Sequence, residues 1–389
     1  MGQAAAHAPF LRAPEASRSI FVVMFVAACA PLGAGVVLFG WRALVVAALS
    51  VGGCVLTETA YYRVTRTPAL LGRSHAALTG LLLALTLPAF APWYVPLTGA
   101  VFATIVGKAI FGGMGHFLWQ PALVGRLAVG VIFAPPLLPI DLLNPQQWPV
   151  LAVNRVILGD VQEARSVRAI RDWGRTPAPP QADAFKTQRP REMLRELTRP
   201  GEARPASIVD TLRRMPPVRD LLLGAHGGGI GETCVLVILV AGLYLVYRNY
   251  VRGFLPGMFI LAAVVTAAVA PVRTGQGQSW RWLPIAAEGL DVGFSYVAYH
   301  LTCGEIMLAA WFLATEMTSR PVTAPAQAIF AAGCGATAVL LRLYTPLAIP
   351  TYAAVLAWNT FTPVLDVIRP RVLGQKRFWQ RRGAPRPEG

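Results

Sequence analysis

The sequence is short of charge. Only 14% of its 389 residues are Asp, Glu, Lys or Arg, where a soluble domain carries about 25%. Acids are the scarcer kind, 19 against 35 Lys and Arg, and the net charge is +16. With 55% apolar residues, the composition is that of a polytopic membrane protein rather than two or three soluble domains. Cysteine is scarce too. Cys29, Cys54, Cys234, Cys303 and Cys334 all lie in apolar segments and form no CxxC pair. They do not read as a zinc or iron–sulfur set within this chain but as small buried hydrophobes; the alternative is a cluster shared with a partner subunit. His226 and His300 are lone histidines and make no haem set. No Walker or Rossmann loop is present, because Gly227-Gly228-Gly229 lacks the Lys-Ser/Thr and the βαβ pattern that phosphate loops need. A cleavable signal is not expected either. Residues 1–19 are polar with scattered prolines, and the first apolar run, Ile20–Phe39, is long enough to span.

The bases that are present are unevenly placed. Fourteen fall between Asp141 and Arg219 and seven between Arg369 and Arg386. They flank membrane spans without interleaved stacking aromatics, so nucleic acid is not the expected partner. Anionic lipid lying against the basic tail is the expected one.

About ten spans are expected, near 20–39, 43–60, 76–90, 94–111, 121–140, 231–248, 254–272, 291–315, 324–343 and 348–367. The third is short and ends in Pro88; the eighth is broken at Cys303-Gly304. Interrupted spans at matching places in two halves point to a transporter-like core. Thr79-Gly80-Leu81 pairs with Thr302-Cys303-Gly304, and Ala103–Gly107 with Ala331–Gly335, at 27 and 31 residues' separation between the paired glycines. The expected organisation is a cytoplasmic segment 1–19, a first membrane half 20–140, a Pro/Arg-rich outward loop 141–219, a second half 220–368 and a basic cytoplasmic tail 369–389. Arginines of the short loops (Arg12, Arg18, Arg63, Arg66, Arg73, Arg248, Arg252 and Arg320) put both termini inside. Within the outward loop, Asp160–Trp173 is expected as a short helix. The rest, with Pro177-Ala178-Pro179-Pro180 and further prolines, is expected as an extended lid or docking arm, not a core-bearing domain.

Chemistry concentrates where polar groups and bare backbone reach membrane depth. Gly107-Lys108 runs through Gly112, Gly113 and Gly115 to His116, with Gln120 and Arg126 close behind, between two apolar runs. Backbone of this kind is tolerated only when buried in protein or lining a cavity, and an intramembrane charge marks a candidate functional site. Gly229-Ile230-Gly231-Glu232-Thr233 opens the sixth span with free helix N-terminal N–H groups, which suit an anion; the alternative is an ordinary helix start with Glu232 in its first turn. Glu305, with His300 and Thr302, forms a polar patch on the broken eighth span. Glu316, beside Thr315 and before Arg320, reads either as an interior acid or as an end cap.

These stretches, in order, resemble the RnfD-type membrane subunit of the Rnf electron-transport complex and the NqrB-type membrane subunit of the sodium-pumping NADH:quinone oxidoreductase. The resemblance is carried by Thr79-Gly80-Leu81-Leu82 with Leu87-Pro88, by Phe111-Gly112-Gly113-Met114-Gly115 with Pro121-Ala122 and Gly125-Arg126, and by Gly229-Ile230-Gly231-Glu232-Thr233. Ala314-Thr315-Glu316-Met317, and Asn359 with Pro363-Val364-Leu365-Asp366, complete it. It implies an all-α membrane fold of about ten helices in two five-helix inverted repeats, similar to urea transporters. It also implies flavin within the membrane, electron transfer between membrane and peripheral partner subunits, and coupled cation movement in a bacterial inner membrane. The family's Ser-Gly-Ala-Thr, whose threonine carries covalent FMN, should precede Leu221-Leu222-Leu223-Gly224. Asp210-Thr211-Leu212-Arg213-Arg214-Met215-Pro216-Pro217 stands there instead. No covalent FMN threonine is therefore assigned. The chain is a divergent member, with Arg73, His116, Gln120, Glu316 and Ile349-Pro350-Thr351-Tyr352 replacing residues usual to the family.

The expected function is an electron-transfer subunit, not catalytic alone, that binds FMN or riboflavin non-covalently between the halves. Lys108 and Arg126 would hold its phosphate or stabilise the reduced ring. Gly112, Gly113, Gly115, Gly229 and Gly231 would admit close backbone approach, and Glu232, His300 and Glu305 would be proton or hydrogen-bond partners, with Thr233 and Thr315 completing the set. No metal site is expected. The rival readings are a transporter or channel that lost the flavin, and a scaffold that anchors redox partners.

Overall fold

The computed structural model describes residues 17–66, 75–112, 117–133, 140–143, 184–186, 190–198, 207–215, 217–224, 228–274 and 279–368. The fold is helical. Helices α1 (Ser17–Phe39) and α2 (Trp41–Thr65) are long and apolar enough to cross a membrane, as is a later helix, Ala324–Tyr344. Gly40, at φ 79°, makes the turn that separates α1 from α2.

Helix α3 (Ala76–Thr86) has only 11 residues, about 16 Å at 1.5 Å per residue. It is apolar on all sides and ten of its residues are buried, as a helix without a polar face must be. It stops because Leu87 precedes Pro88 and takes the extended conformation that position favours. Gly80 lets α3 lie on α2: a Cβ there would come within 2.5 Å of Val51 Cα. Helix α4 (Tyr94–Thr104) runs into a π-helical turn, Ile105–Ala109, and α5 (Pro121–Ile132) returns beside it. Gln120 caps α5 by accepting from the Leu123 N–H at 2.7 Å. The fifth span, expected to reach residue 140, ends as helix at Ile132. Residues Ile140–Leu143 form strand β1, paired with β2 (Ala184–Lys186).

Part of the expected extended arm is helical. α6 (Pro190–Glu196), α7 (Ile208–Arg214) and α8 (Val218–Leu223) follow one another. Met193, Leu194, Leu197, Ile208, Met215 and Leu221 from this region are buried in the main core. The prolines mark the ends of these short helices, so reading them as a sign of extension missed the apolar residues between them. Asp160–Trp173 lies outside the described residues.

The second half contains α9 (Val235–Tyr247), α10 (Phe254–Val269), the hairpin β3 (Val272–Thr274) and β4 (Ser279–Arg281), then α11 (Pro284–Ala287) and α12 (Leu290–Thr302). The break expected in the eighth span is present: Gly304, at φ 85°, separates α12 from α13 (Glu305–Leu308), which continues as a second π turn, Ala309–Leu313. Every residue from Thr302 to Glu316 is buried. Helices α14 (Ala324–Tyr344), α15 (Pro350–Thr360) and α16 (Thr362–Leu365) close the fold. Two short buried rods, α3 and the α13 segment, thus occupy the centre. Around α3 stand α1, α2, α4 and α5; α9, α10, α14 and α15 support the rest, and α5 meets α15 across the seam.

Candidate functional site

The last carbonyls of any helix need donors from elsewhere. At the end of α3 those donors come from distant sequence. Gly231 N–H donates to Leu85 O at 2.8 Å, Arg126 Nε to Thr86 O at 3.0 Å, and Ile230 N–H to Leu87 O at 2.9 Å. The glycines permit this docking. A Cβ on Gly231 would meet the Leu85 side chain at 2.7 Å, and one on Gly229 would meet the Glu232 carboxyl carbon at 2.8 Å. Glu232 folds back so that Oε2 accepts from the Gly229 N–H at 3.0 Å, and the Tyr352 hydroxyl donates to its other oxygen.

Glu305 begins α13 beside this cluster. Its Oε2 accepts from the Thr351 N–H at 3.2 Å, and its Oε1 pairs with the guanidinium of Arg191 on α6. A second arginine serves the other half of the same broken span: Arg342 Nη1 donates to His300 O at 2.6 Å, near the end of α12. Arg126, Gly229, Gly231, Glu232, Glu305 and His300 are therefore gathered at one end of the central rods, with Tyr352, Thr351, Arg191 and Arg342. Several buried polar atoms here have no hydrogen-bond partner among the described residues: Thr233 Oγ1, Thr351 Oγ1, both His300 ring nitrogens, and Arg342 Nε and Nη2. Native proteins pair most such atoms, so these are the polar groups of the cluster that the described residues leave unserved.

The remaining expected residues lie elsewhere. Lys108 is buried in an ion pair with Glu58, Nζ standing 2.9 and 3.1 Å from its two oxygens. The π turn holds Lys108 on the buried side of its helix, against α2. Gly112 is left-handed at φ 96° and turns the chain after that helix. Gly113, Gly115 and His116 lie outside the described residues. Thr315 donates to Trp311 O at 2.7 Å, inside its own helix. It sits at the opposite end of the rods, beside Glu316. Glu316 is no exposed end cap: it is fully buried and faces His75 Nε2 at 3.3 Å, and Phe21 stacks on that imidazole with ring centroids 4.5 Å apart. Asn359 is buried near the same end, next to Thr360, which accepts from Trp119 Nε1 at 3.0 Å.

Sequence reasoning missed Glu58, His75, Arg191, Arg342 and Tyr352. Glu58 carried a usable signal, an acid inside an apolar span. Arg342 stands one residue before the expected end of the ninth span, a position where an arginine that snorkels is ordinary. Arg191 was hidden among fourteen bases.

The model of the NQR2, RnfD, RnfE family matches residues 4–374. A relative from Halorhodospira halophila, named as component D of an ion-translocating oxidoreductase complex, is 29% identical over 387 residues, covering 97% of this chain and 96% of its own. One from Acetobacterium woodii, named as component D of a Na(+)-translocating ferredoxin:NAD(+) oxidoreductase complex, is 28% identical over 360 residues, 92% of this chain and 91% of its own. A third, from Stutzerimonas stutzeri, is 30% identical over 349 residues, 88% and 87%, and bears the first one's name. By this end-to-end match, the chain belongs to the NQR2, RnfD, RnfE family.

Proposed function

We propose that this protein is the electron-transfer membrane subunit of an Rnf-type ion-translocating oxidoreductase complex. The observation that carries the reading is the nearly full-length match to RnfD-type relatives. Its partners are the other membrane and peripheral subunits of that complex. The reading places it in the bacterial inner membrane with both termini inside and the 141–219 loop outside.

The finer architecture is ten spans in two inverted repeats. Packing supports it: α2 lies on α4 and α4 on α5, just as α10 lies on α14 and α14 on α15. The two short buried rods then correspond, α3 to the α13 segment, each bearing a break at one end.

The cofactor of this reading is a flavin, FMN or riboflavin, held without a covalent bond. The residues fit it unevenly. Lys108 already neutralises Glu58, and the N–H groups of Ile230 and Gly231 already serve α3. These groups are poor candidates for a phosphate cradle. The buried atoms still seeking partners suit the carbonyl and ring-nitrogen edge of a flavin better: Thr233 Oγ1, Thr351 Oγ1, the His300 ring and Arg342 Nε and Nη2, with Arg126 and Glu232 alongside. A flavin bound there would supply a carrier of electrons singly or in pairs. The chain's own residues would orient it and set the charge around it.

The test is the absorbance and fluorescence spectrum of detergent-purified protein, before and after denaturation and filtration. Flavin in the filtrate is the expected result. Flavin retained on the chain would mean covalent attachment at a site other than Ser-Gly-Ala-Thr. A colourless protein would favour the second reading, a cation pathway or scaffold without its own flavin, which the buried pairs Lys108–Glu58 and His75–Glu316 also suit. Co-purifying redox subunits would separate a scaffold from a stand-alone transporter.

A further inference from the structure

Glu305 has an unusual counter-ion. It is fully buried at a helix break in the centre of the molecule, yet its cationic partner does not come from a neighbouring span. Arg191 reaches it from α6, inside the Pro/Arg-rich segment. The guanidinium also donates through Nη2 to Ala348 O, in the turn between α14 and α15. Oε2 of Glu305 is served by the Thr351 N–H. Oε1 pairs with the Arg191 guanidinium. One oxygen is thus served by the backbone of α15, and the other by a cation from outside the spans.

The element that delivers Arg191 has little stability of its own. Seven residues are too few for an independent helix in water. α6 is held by the burial of Met193, Leu194 and Leu197, by Thr198 Oγ1 donating to Leu343 O, and by Arg273 N–H donating to Leu197 O at 2.9 Å. Its hydrogen bonds reach the end of α14, the turn after it and the β3 strand. Residues 190–198 therefore form a cap that docks on one end of the central rods with a cation at its tip.

We propose that Glu305 is a cation-accepting site kept closed by a tethered cation, Arg191, and that undocking of residues 190–198 opens it to a small monovalent cation from the side where the cap lies. The site does not depend on a bound flavin. Its chemistry is read from its occupant: a planar monovalent cation already satisfies it, and loss of that cation leaves a buried carboxylate uncompensated, a strongly unfavourable state. Either an external cation or a proton must then replace it. The proposal commits to the cation.

Labelling of Glu305 by a hydrophobic carbodiimide, located by mass spectrometry on the full-length protein in detergent, tests this. Wild type should be nearly unlabelled. Arg191→Ala should be labelled severalfold faster, millimolar guanidinium chloride or sodium chloride should suppress that labelling, and guanidinium should raise the melting temperature of Arg191→Ala but not of wild type. Equal labelling of both proteins would overturn the closing role of Arg191. Labelling of Arg191→Ala that changes with pH but with neither cation would overturn the cation site in favour of a proton. If Arg191→Ala does not accumulate, the double variant Arg191→Ala/Glu305→Gln carries the test. Recovery of folded protein is expected, and failure to recover it overturns the pairing. Flavin content enters none of these readouts.

Discussion

Glu58 and Glu305 are both buried carboxylates, each with a cationic partner among the described residues, and they are held in opposite ways. Glu58 on α2 pairs with Lys108 on the adjoining π turn, and both residues belong to packed spans. Glu305 pairs with Arg191 on a seven-residue helix from the loop region. The first pair is closed on both sides by the bundle and can change only if the bundle does. The second can be undone by moving one small element. The position of the partner, not of the acid, is what distinguishes the two pairs.

Breaking the first pair should give the largest effect. Lys108→Met leaves Glu58 charged without its cation, which costs about 3–5 kcal/mol for a buried pair. Thermal unfolding in detergent should show a large loss or no folded protein, and Glu58→Gln/Lys108→Met should recover most of it. Gly80→Ala comes next. Its Cβ would press on Val51 Cα and Ser50 O, main-chain atoms that yield poorly; about 1–3 kcal/mol is the usual cost of overpacking, again read by melting. Tyr352→Phe removes the donor to Glu232 and should cost about 1–3 kcal/mol, the penalty of an acceptor left unsatisfied. The smallest effect on stability belongs to Thr233→Val. Its hydroxyl has no partner among the described residues, so melting should be unchanged or slightly raised. Loss of flavin from that variant, with stability intact, would place Thr233 against the ligand. Retained flavin would remove it from the site.

The outline of the fold was legible because the bilayer restricts what sequence can do. The apolar runs, the short third span before Pro88 and the break at Gly304 follow from periodicity, proline and glycine. Gly229–Glu232 and Arg126, which the structure brings together, each stood out as a polar or bare-backbone feature at membrane depth, but so did Lys108, which lies elsewhere. Partnerships were not legible. Nothing local in the sequence says that Lys108 faces Glu58, fifty residues earlier, or that the N–H groups of Ile230 and Gly231 are used up on α3 and not offered to an anion. These follow from which helix faces touch. The helical part of the 190–223 region was obscured by composition, because prolines and arginines dominate the count while Met193, Leu194 and Leu197 decide the packing.

The shortness of α3 also governs how its ends are satisfied. A bilayer's hydrocarbon layer is about 30 Å thick, and a helix of about 16 Å covers roughly half of it. The last carbonyls of α3 are therefore served by the protein itself, through Arg126, Ile230 and Gly231. A substitution that removes one of those donors leaves a carbonyl with no water to replace it.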